Sequence, residues 1–430
     1  MKVNLSKSGG PPPPWLRRIV EDESEPPRLY AWTPRNLSTV NGPARANKDD
    51  DDDRRRRRIY ILGVGNIGRL YAMCLSRLPD RPPITLVVHR RELLEQWASN
   101  PGIELLTRDG HAQKDVDFDI EWWTENETPG AAAEVRGKIA NLIVATKAPD
   151  AIPQVDRLRR YLGRESAVAF AQNGMCKLWP PLGDAYVRAR YPGGPASASG
   201  SASGSAPSWL ACVTTHGVTS QGPFKSVHAA PATALVGPVS ANNPQAEYLM
   251  RQIASAPGLD ARRVSRQDLW IAQLEKLVVN AVINPLTAVL RCKNGELFVT
   301  SGNDDKLSLV VDNLVREASD TLTTLITDPK SDDILLRNRQ ELLERFSFPR
   351  LRTMVLGVGE KVAANTSSML QDMRAGKQTE IDDFNGWLVD TANLLGKGLR
   401  LATHEELVAL VKDGAELSRG ELCERLLGKE

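Results

Sequence analysis

The feature that most constrains the fold is an apolar run, Ile59-Tyr60-Ile61-Leu62, leading directly into Gly63-Val64-Gly65-Asn66-Ile67-Gly68. Four apolar residues bounded by glycines read as a buried strand, and Ile67 to Leu78 reads as a helix. In a strand–GxGxxG–helix unit the first glycine permits the tight turn. The second lets the backbone approach a pyrophosphate, and the third lets the helix pack on the strand. The phosphates then meet a helix N-terminus, where free N–H groups and the helix dipole favour negative charge. Gly63, Val64, Gly65, Asn66, Ile67 and Gly68 are therefore the candidate dinucleotide-binding loop. The alternative, a glycine-rich turn with no ligand, fits the strand-to-helix junction less well.

The same alternation continues. Ile84–Val88 is a second strand, Glu92 to Ala98 a second helix, and Asn141–Ala145 and Ser166–Phe170 are further buried strands. Strands separated by helices imply a parallel sheet covered on both faces. Leu210 to Ser220 and Ala232 to Val236 resume strand character, and the first domain is expected to close near Pro238. Beyond about Ala241 the pattern is helical, over 267–290, 306–327, 331–345, 370–375, 380–395 and 405–410. The expected class is α/β: an N-terminal Rossmann-type doubly wound parallel sheet followed by a mostly α-helical C-terminal domain. The boundaries read as a disordered tail over 1–57, a nucleotide-binding domain over 58–240 and a helical substrate domain over 241–425. The Gly/Ser/Ala/Pro tract from Pro192 to Pro207 has no side chains to form a core and reads as a flexible insertion. In the tail, Asp49–Asp53 runs into Arg54–Arg58, blocks expected to stay solvated.

Composition excludes several classes. With 55 Lys and Arg against 53 Asp and Glu, the net charge of +2 does not describe a dedicated nucleic-acid binder. The five arginines are also offset by five adjacent aspartates. No run approaches the ~18 apolar residues of a membrane span. Five scattered cysteines without a CxxC pair indicate reduced thiols, no disulfide framework and no metal site. Gly9–Pro14 interrupts any signal-like apolar region. Early acids (Glu21, Asp22, Glu23, Glu25) make a mitochondrial presequence the poorer match, so the expected compartment is the cytoplasm.

Two features carry chemistry. At the end of the second strand, where an NAD site places an Asp or Glu for the ribose hydroxyls, this chain has His89-Arg90-Arg91. Arginine forks suit a 2′-phosphate, which favours NADP(H); an exposed helix-start arginine is the bland alternative. Further on, Lys276, Asn280 and Asn284 are spaced i, i+4, i+8 and stack along one helix face. Leu277, Val278, Val279, Val282 and Ile283 fill the other faces, so the helix is expected to be buried nearly all round. A polar stripe on such a helix is costly unless each group finds a partner. It either satisfies backbone and salt-bridge partners or presents an ammonium and two carboxamides to an oxygen-rich anion. Pro285 is expected to kink the helix at Asn284. A buried lysine with a lowered pKa can protonate a ketone as hydride arrives.

With these motifs in view, the chain resembles ketopantoate reductase (2-dehydropantoate 2-reductase) in an enlarged, eukaryotic, fungal-like version, from about Ile59 to Leu395. The resemblance rests on Gly63–Gly68, Thr146-Lys147-Ala148, Gln172-Asn173-Gly174, Lys276 with Asn280 and Asn284-Pro285-Leu-Thr-Ala, and Asn294-Gly295-Glu296-Leu297. Ser367-Ser368-Met-Leu-Gln-Asp, Thr379-Glu380-Ile-Asp382 and Asn385-Gly386 complete it. It implies NADPH-dependent reduction of 2-dehydropantoate to pantoate, on the pantothenate pathway. It implies Lys276 as general acid, Asn280, Asn284, Asn294 and Ser368 as substrate ligands with Lys276, and Lys147, Asn173 and Glu380 on the cofactor side. Glu380 and Asn173 would lie near the nicotinamide, Glu380 also favouring the charged lysine, and Arg90 would meet the 2′-phosphate.

The acidic and basic tail and the Ser/Gly/Ala tract are additions to the compact family pattern, and long segments between motifs, such as Asp115 to Gly137, suggest the enlarged, eukaryotic-style version. Two other readings stand beside the main one: an NADP-dependent reductase of another small 2-keto acid, and a non-catalytic NADP-binding regulator. A homodimer through the helical domain is compatible with the architecture, with no residue that demonstrates it.

Overall fold

The computed structural model describes residues 12–37, 51–126, 132–135, 137–191, 205–240, 244–299, 306–335 and 338–428. The first elements are α1 (Pro14–Glu21), β1 (Tyr30–Trp32), α2 (Pro34–Leu37) and α3 (Asp52–Arg57). Next come β2 (Ile59–Leu62), α4 (Asn66–Leu75), β3 (Ile84–Val88), α5 (Arg91–Ser99), β4 (Ile103–Thr107), β5 (Ala112–Asp115) and β6 (Asp119–Thr124). They are followed by β7 (Ala133–Glu134), β8 (Asn141–Val144), α6 (Ala148–Arg157), β9 (Ala167–Phe170) and α7 (Leu182–Arg190). The sheet-rich part ends with β10 (Ser208–Thr214), β11 (Gly217–Ser220), β12 (Lys225–Ala230), β13 (Ala234–Pro238), α8 (Pro244–Ser255) and β14 (Ala261–Arg263).

Ten of these strands form one sheet, ordered β14-β13-β10-β9-β8-β2-β3-β6-β1-β7. Its centre is parallel: Ile61 of β2 faces Leu86 of β3 on one side and Ile143 of β8 on the other. β3, β8 and β9 are buried along their whole length, which is why they read as unbroken apolar runs. From β2 the chain first builds toward β3 and later returns to β8 on the opposite side. That reversal makes the carboxyl ends of β2 and β8 a topological switch point, the place where such sheets bind ligands. A second sheet, β11-β12-β4-β5, packs against α4. Arg69 of α4, only 5% exposed, ties the two together by donating to the Gly222 and Lys225 carbonyls at 2.7 Å.

Three features differ from those expected. The described parts of 1–57 are ordered rather than a solvated tail: β1 pairs antiparallel with β6 and β7. Of the Asp/Arg block, Asp52–Arg57 form α3, because their charges run in the order a helix favours, acids in the first turn and arginines in the last, with Asp51 as N-cap. Its final arginine, Arg58, is buried and bonds Asp119 at 2.5 Å and the Thr85 hydroxyl at 2.7 Å. Second, the sheet-rich unit extends to Leu269 instead of closing near Pro238. α8 packs beneath β13 and β14, and β14 adds parallel to β13. Third, the long segment from Asp115 to Gly137 holds β6, a core neighbour of β3. Of the tract 192–207, residues 192–204 lie outside the described residues.

The other compact unit comprises α1, residues 180–185 and the chain from Trp270 onward. The chain crosses into it within α9 (Arg266–Leu290), followed by a 3-10 turn at Asn294–Phe298 and α10 (Lys306–Thr327). Then come α11 (Arg339–Arg345), α12 (Phe348–Lys361), α13 (Ser368–Arg374), α14 (Ile381–Leu395), α15 (Ala402–Lys412) and α16 (Arg419–Leu427). Among the described residues no helix is long and apolar enough to cross a membrane.

Candidate active site

The glycine loop has the geometry its three positions require. Gly63 adopts φ +95°, and a Cβ there would lie 2.8 Å from the Ala145 carbonyl carbon. A Cβ on Gly68 would lie 2.0 Å from the Gly63 oxygen, so only glycine lets α4 sit this close to the loop. A Cβ on Gly65 would meet nothing within 4 Å, which leaves open space beside the backbone. Gly65 is also the N-cap of α4 and has no side chain to take up its first amides. Val64 and Ile67 pack on the core below. The Asn66 side chain donates to the Val218 carbonyl at 3.1 Å and accepts from Arg69 at 3.0 Å, so this residue offers a ligand its backbone only.

Across the switch point, the segments following β8 and β9 hold two buried polar atoms without hydrogen-bond partners, Thr146 Oγ1 and Gln172 Oε1. Orphaned polar atoms beside an open phosphate loop fit a polar dinucleotide. Lys147 is exposed as the N-cap of α6, and Asn173 is half-buried. Arg90 is exposed at the N-cap of α5. Its neighbour Arg91 is committed elsewhere, to Glu95 at 2.8 Å and the face of Trp32.

In the helical unit, α9 is buried nearly all round, through Leu274, Leu277, Val278, Ala281, Val282, Ile283 and Leu286. It continues past Pro285 to Leu290 rather than ending there. Lys276 and Asn280 remain partly accessible on the polar stripe, and Asn284 is 8% exposed. Burial lowers the Lys276 ammonium from its ordinary 10.5 to about 8, while the Glu380 carboxylate opposes the change. Glu380 is itself buried, immediately before α14. The lysine is thus charged at neutral pH and close to giving up its proton.

Asn284 reaches α13, where its Nδ2 donates to the Ser368 hydroxyl at 3.4 Å. The two adjacent serines divide their work. Ser367 caps α13 through the Leu370 amide and lies 2.7 Å from Thr287 Oγ1, whereas Ser368 is exposed. Asn294 is buried with its Oδ1 unpartnered, and its backbone N–H donates to the Asn365 carbonyl at 3.0 Å. The glycine after it is required, since a Cβ on Gly295 would lie 2.6 Å from that of Ala363. The structure therefore couples Lys276 to Glu380 and Asn284 to Ser368, and anchors Asn294 to the segment leading into Ser368. Sequence reasoning missed the supports: Thr287, which donates to the Ile283 carbonyl at 2.8 Å, and Arg69 behind the glycine loop. The charge of Arg69 on a helix otherwise buried through its last two turns was the available signal for the second.

The family description "Ketopantoate reductase PanE/ApbA" matches residues 59–241, and "Ketopantoate reductase PanE/ApbA C terminal" matches residues 268–415. The ketoisovalerate reductase BEA2 of Gibberella fujikuroi is 42% identical over 456 residues, spanning 96% of this chain and 99% of that protein. A probable 2-dehydropantoate 2-reductase of Schizosaccharomyces pombe is 28% identical, spanning 84% and 97% respectively. The crystal structure of a probable 2-dehydropantoate 2-reductase from Bacillus subtilis superposes with a TM-score of 0.56 at 23% identity, covering 83% of this chain and 99% of that one. The fold, the paired lysine and glutamate, and both family matches agree: the chain belongs to the ketopantoate reductase family, in the enlarged form of its fungal relatives.

Proposed function

We propose that this protein is an NADPH-dependent reductase of a small branched 2-keto acid, with 2-ketoisovalerate preferred over 2-dehydropantoate. The observation that carries the reaction class is Lys276, a half-buried residue whose ammonium is lowered to about 8 by burial and balanced by Glu380, on one face with Asn280 and Asn284. Such a group holds a proton at neutral pH and releases it readily to an oxygen that is gaining charge. The residues that would hold the cofactor are the Gly63–Gly68 backbone, Lys147, Asn173 and, on the 2′-phosphate, Arg90. NADPH supplies the hydride when bound. Lys276 protonates the keto oxygen, and Glu380 keeps the ammonium charged and oriented. Asn280, Asn284, Asn294 and Ser368 donate to the carboxylate and the keto oxygen and hold the reacting carbon in place.

The substrate choice rests on the fungal relative: 42% identity over 96% of the chain supports ketoisovalerate more strongly than 28% supports 2-dehydropantoate. The two acids differ by the hydroxymethyl group that only 2-dehydropantoate carries. The second reading, reduction of 2-dehydropantoate for pantothenate synthesis, is favoured by the family match itself. Loss of NADPH absorbance, measured with each acid and with an NADH control, decides between them. A higher kcat/KM on ketoisovalerate upholds the proposal, and the reverse ratio installs the second reading. Silence on both acids, with tight NADPH binding, would leave a non-catalytic regulator.

A further inference from the structure

Pro285 lies inside the lysine helix, directly after Asn284. It has no N–H, so the carbonyl four residues earlier, that of Ala281, loses its helical donor. This carbonyl sits in the turn joining Asn280 to Asn284, and the structure supplies a donor from another helix. Asn385 of α14, fully buried, gives a hydrogen from its Nδ2 to the Ala281 oxygen at 2.9 Å. The same Nδ2 lies 2.9 Å from Nδ1 of His404 in α15. Nε2 of that imidazole, also fully buried, lies 3.1 Å from the Leu314 carbonyl of α10. A carbonyl only accepts, so Nε2 carries the ring proton and Nδ1 accepts from the amide.

Both hydrogens of the Asn385 amide are thereby used, while its Oδ1 is buried with no hydrogen-bond partner. An unsatisfied amide oxygen in the interior is costly, so the two donors are what the position serves. The far end of the relay is also fixed. Glu317 of α10 accepts from the Thr403 and His404 amides at 3.0 and 3.2 Å and from the Thr403 hydroxyl at 2.7 Å, clamping the first turn of α15.

We propose that Asn385 and His404 are positioning residues for the reaction: they replace the hydrogen bond that Pro285 deletes, and so fix Asn284 relative to Asn280 and Lys276. An ordinary helix would hold this turn by itself. Here the proline hands control of it to α14, the helix that Glu380 precedes, so the amide stripe and the partner of the lysine are set by one element. The inference rests on the reductase reading given above.

A double-mutant cycle between Asn385→Ala and Pro285→Ala tests it, because Pro285→Ala returns an N–H to the chain. Asn385→Ala should lower kcat on the keto acid by roughly 10- to 100-fold and leave NADPH affinity within about twofold. The double variant should recover at least about tenfold of that loss. Unchanged kcat in Asn385→Ala, or no recovery in the double variant, overturns the proposal. Should Asn385→Ala fail to fold, His404→Gln, which can still accept and donate, should retain activity that His404→Leu loses; equal activity in these two overturns it as well. Amide hydrogen exchange over residues 280–287 gives a readout without turnover, with faster exchange in Asn385→Ala and slower again in the double variant. If the wild-type protein reduces no 2-keto acid, the reductase reading falls, while that exchange pattern still upholds the relay.

Discussion

The amide of Asn284 and the hydroxyl of Ser368 meet at 3.4 Å, joining α9 to α13. That separation is long for an N–H···O bond, so neither group is saturated and both keep capacity for an oxygen-rich ligand.

Substituting either residue should therefore act on substrate binding first. Ser368→Ala is expected to raise the KM for the keto acid about tenfold with little change in kcat, the size of one hydrogen bond to a charged group. Because the two side chains touch, Asn284→Ala combined with Ser368→Ala should cost less than the product of the single effects. Steady-state kinetics on the four proteins reads this directly, and multiplicative effects would show that the two act separately.

Lys276 has its pKa lowered to about 8 by burial. The reduction needs the protonated form, so its rate should fall as pH rises through about 8, while oxidation of the corresponding hydroxy acid should rise. Glu380→Gln removes the charge that opposes burial, so the alkaline limb should move to lower pH; an unmoved limb would remove Glu380 from this role. Lys276→Ala should reduce kcat by roughly 100-fold or more and leave NADPH binding in place.

Arg90 stands exposed at the N-cap of α5, two residues past the end of β3. Arg90→Asp should weaken NADPH much more than NADH, as followed by fluorescence titration of both. Equal weakening would exclude contact with the 2′-phosphate.

Arg58 is held by Asp119 and Thr85 with its guanidinium almost fully enclosed. Arg58→Ala leaves the half-exposed Asp119 carboxylate and the buried Thr85 hydroxyl without their donor and should cost about 2 kcal/mol in urea unfolding. Arg55, 62% exposed and 3.8 Å from Asp52, is the internal control. Its replacement by alanine should fall within about 0.5 kcal/mol.

His404 is kept neutral by burial, its pKa lowered from 6.5 to about 4. The unfolded chain takes up a proton below 6.5 and the folded chain does not. Stability is thus complete above 6.5 and falls with pH down to about 4, by at most roughly 3 kcal/mol. His404→Gln should flatten that acid limb in chemical denaturation, and an unaltered limb would exclude His404 as its source.

Much of this molecule was legible in its sequence because the decisive signals are local. The glycine loop is a local pattern, with Gly63 at positive φ and Gly68 against the Gly63 oxygen, and buried parallel strands such as β8 announce themselves as apolar runs. The i, i+4, i+8 stripe on α9 likewise needs only helical geometry. What escaped depends on distant partners. Arg58 belongs to a charge run that looks solvated until Asp119, 61 residues away, closes on it. β14 is three residues, recognisable as a strand only because β13 pairs with it. Asn385 carried no visible role because the carbonyl it serves lies 104 residues earlier, exposed by a proline whose effect reads as a local kink.

The segment before Ile59 has one more bearing on how this protein can be handled. β1 lies along β6, with Trp32 facing Trp122, and Leu29 is fastened by its N–H to the Tyr161 hydroxyl at 2.7 Å. A chain trimmed back to the glycine-loop strand, the obvious start for recombinant expression, would strip β6 of its neighbour and bare an edge carrying two tryptophans. Unpaired edges of that kind recruit other chains, so the shortened protein would be expected to precipitate even though every residue of its chemistry was intact.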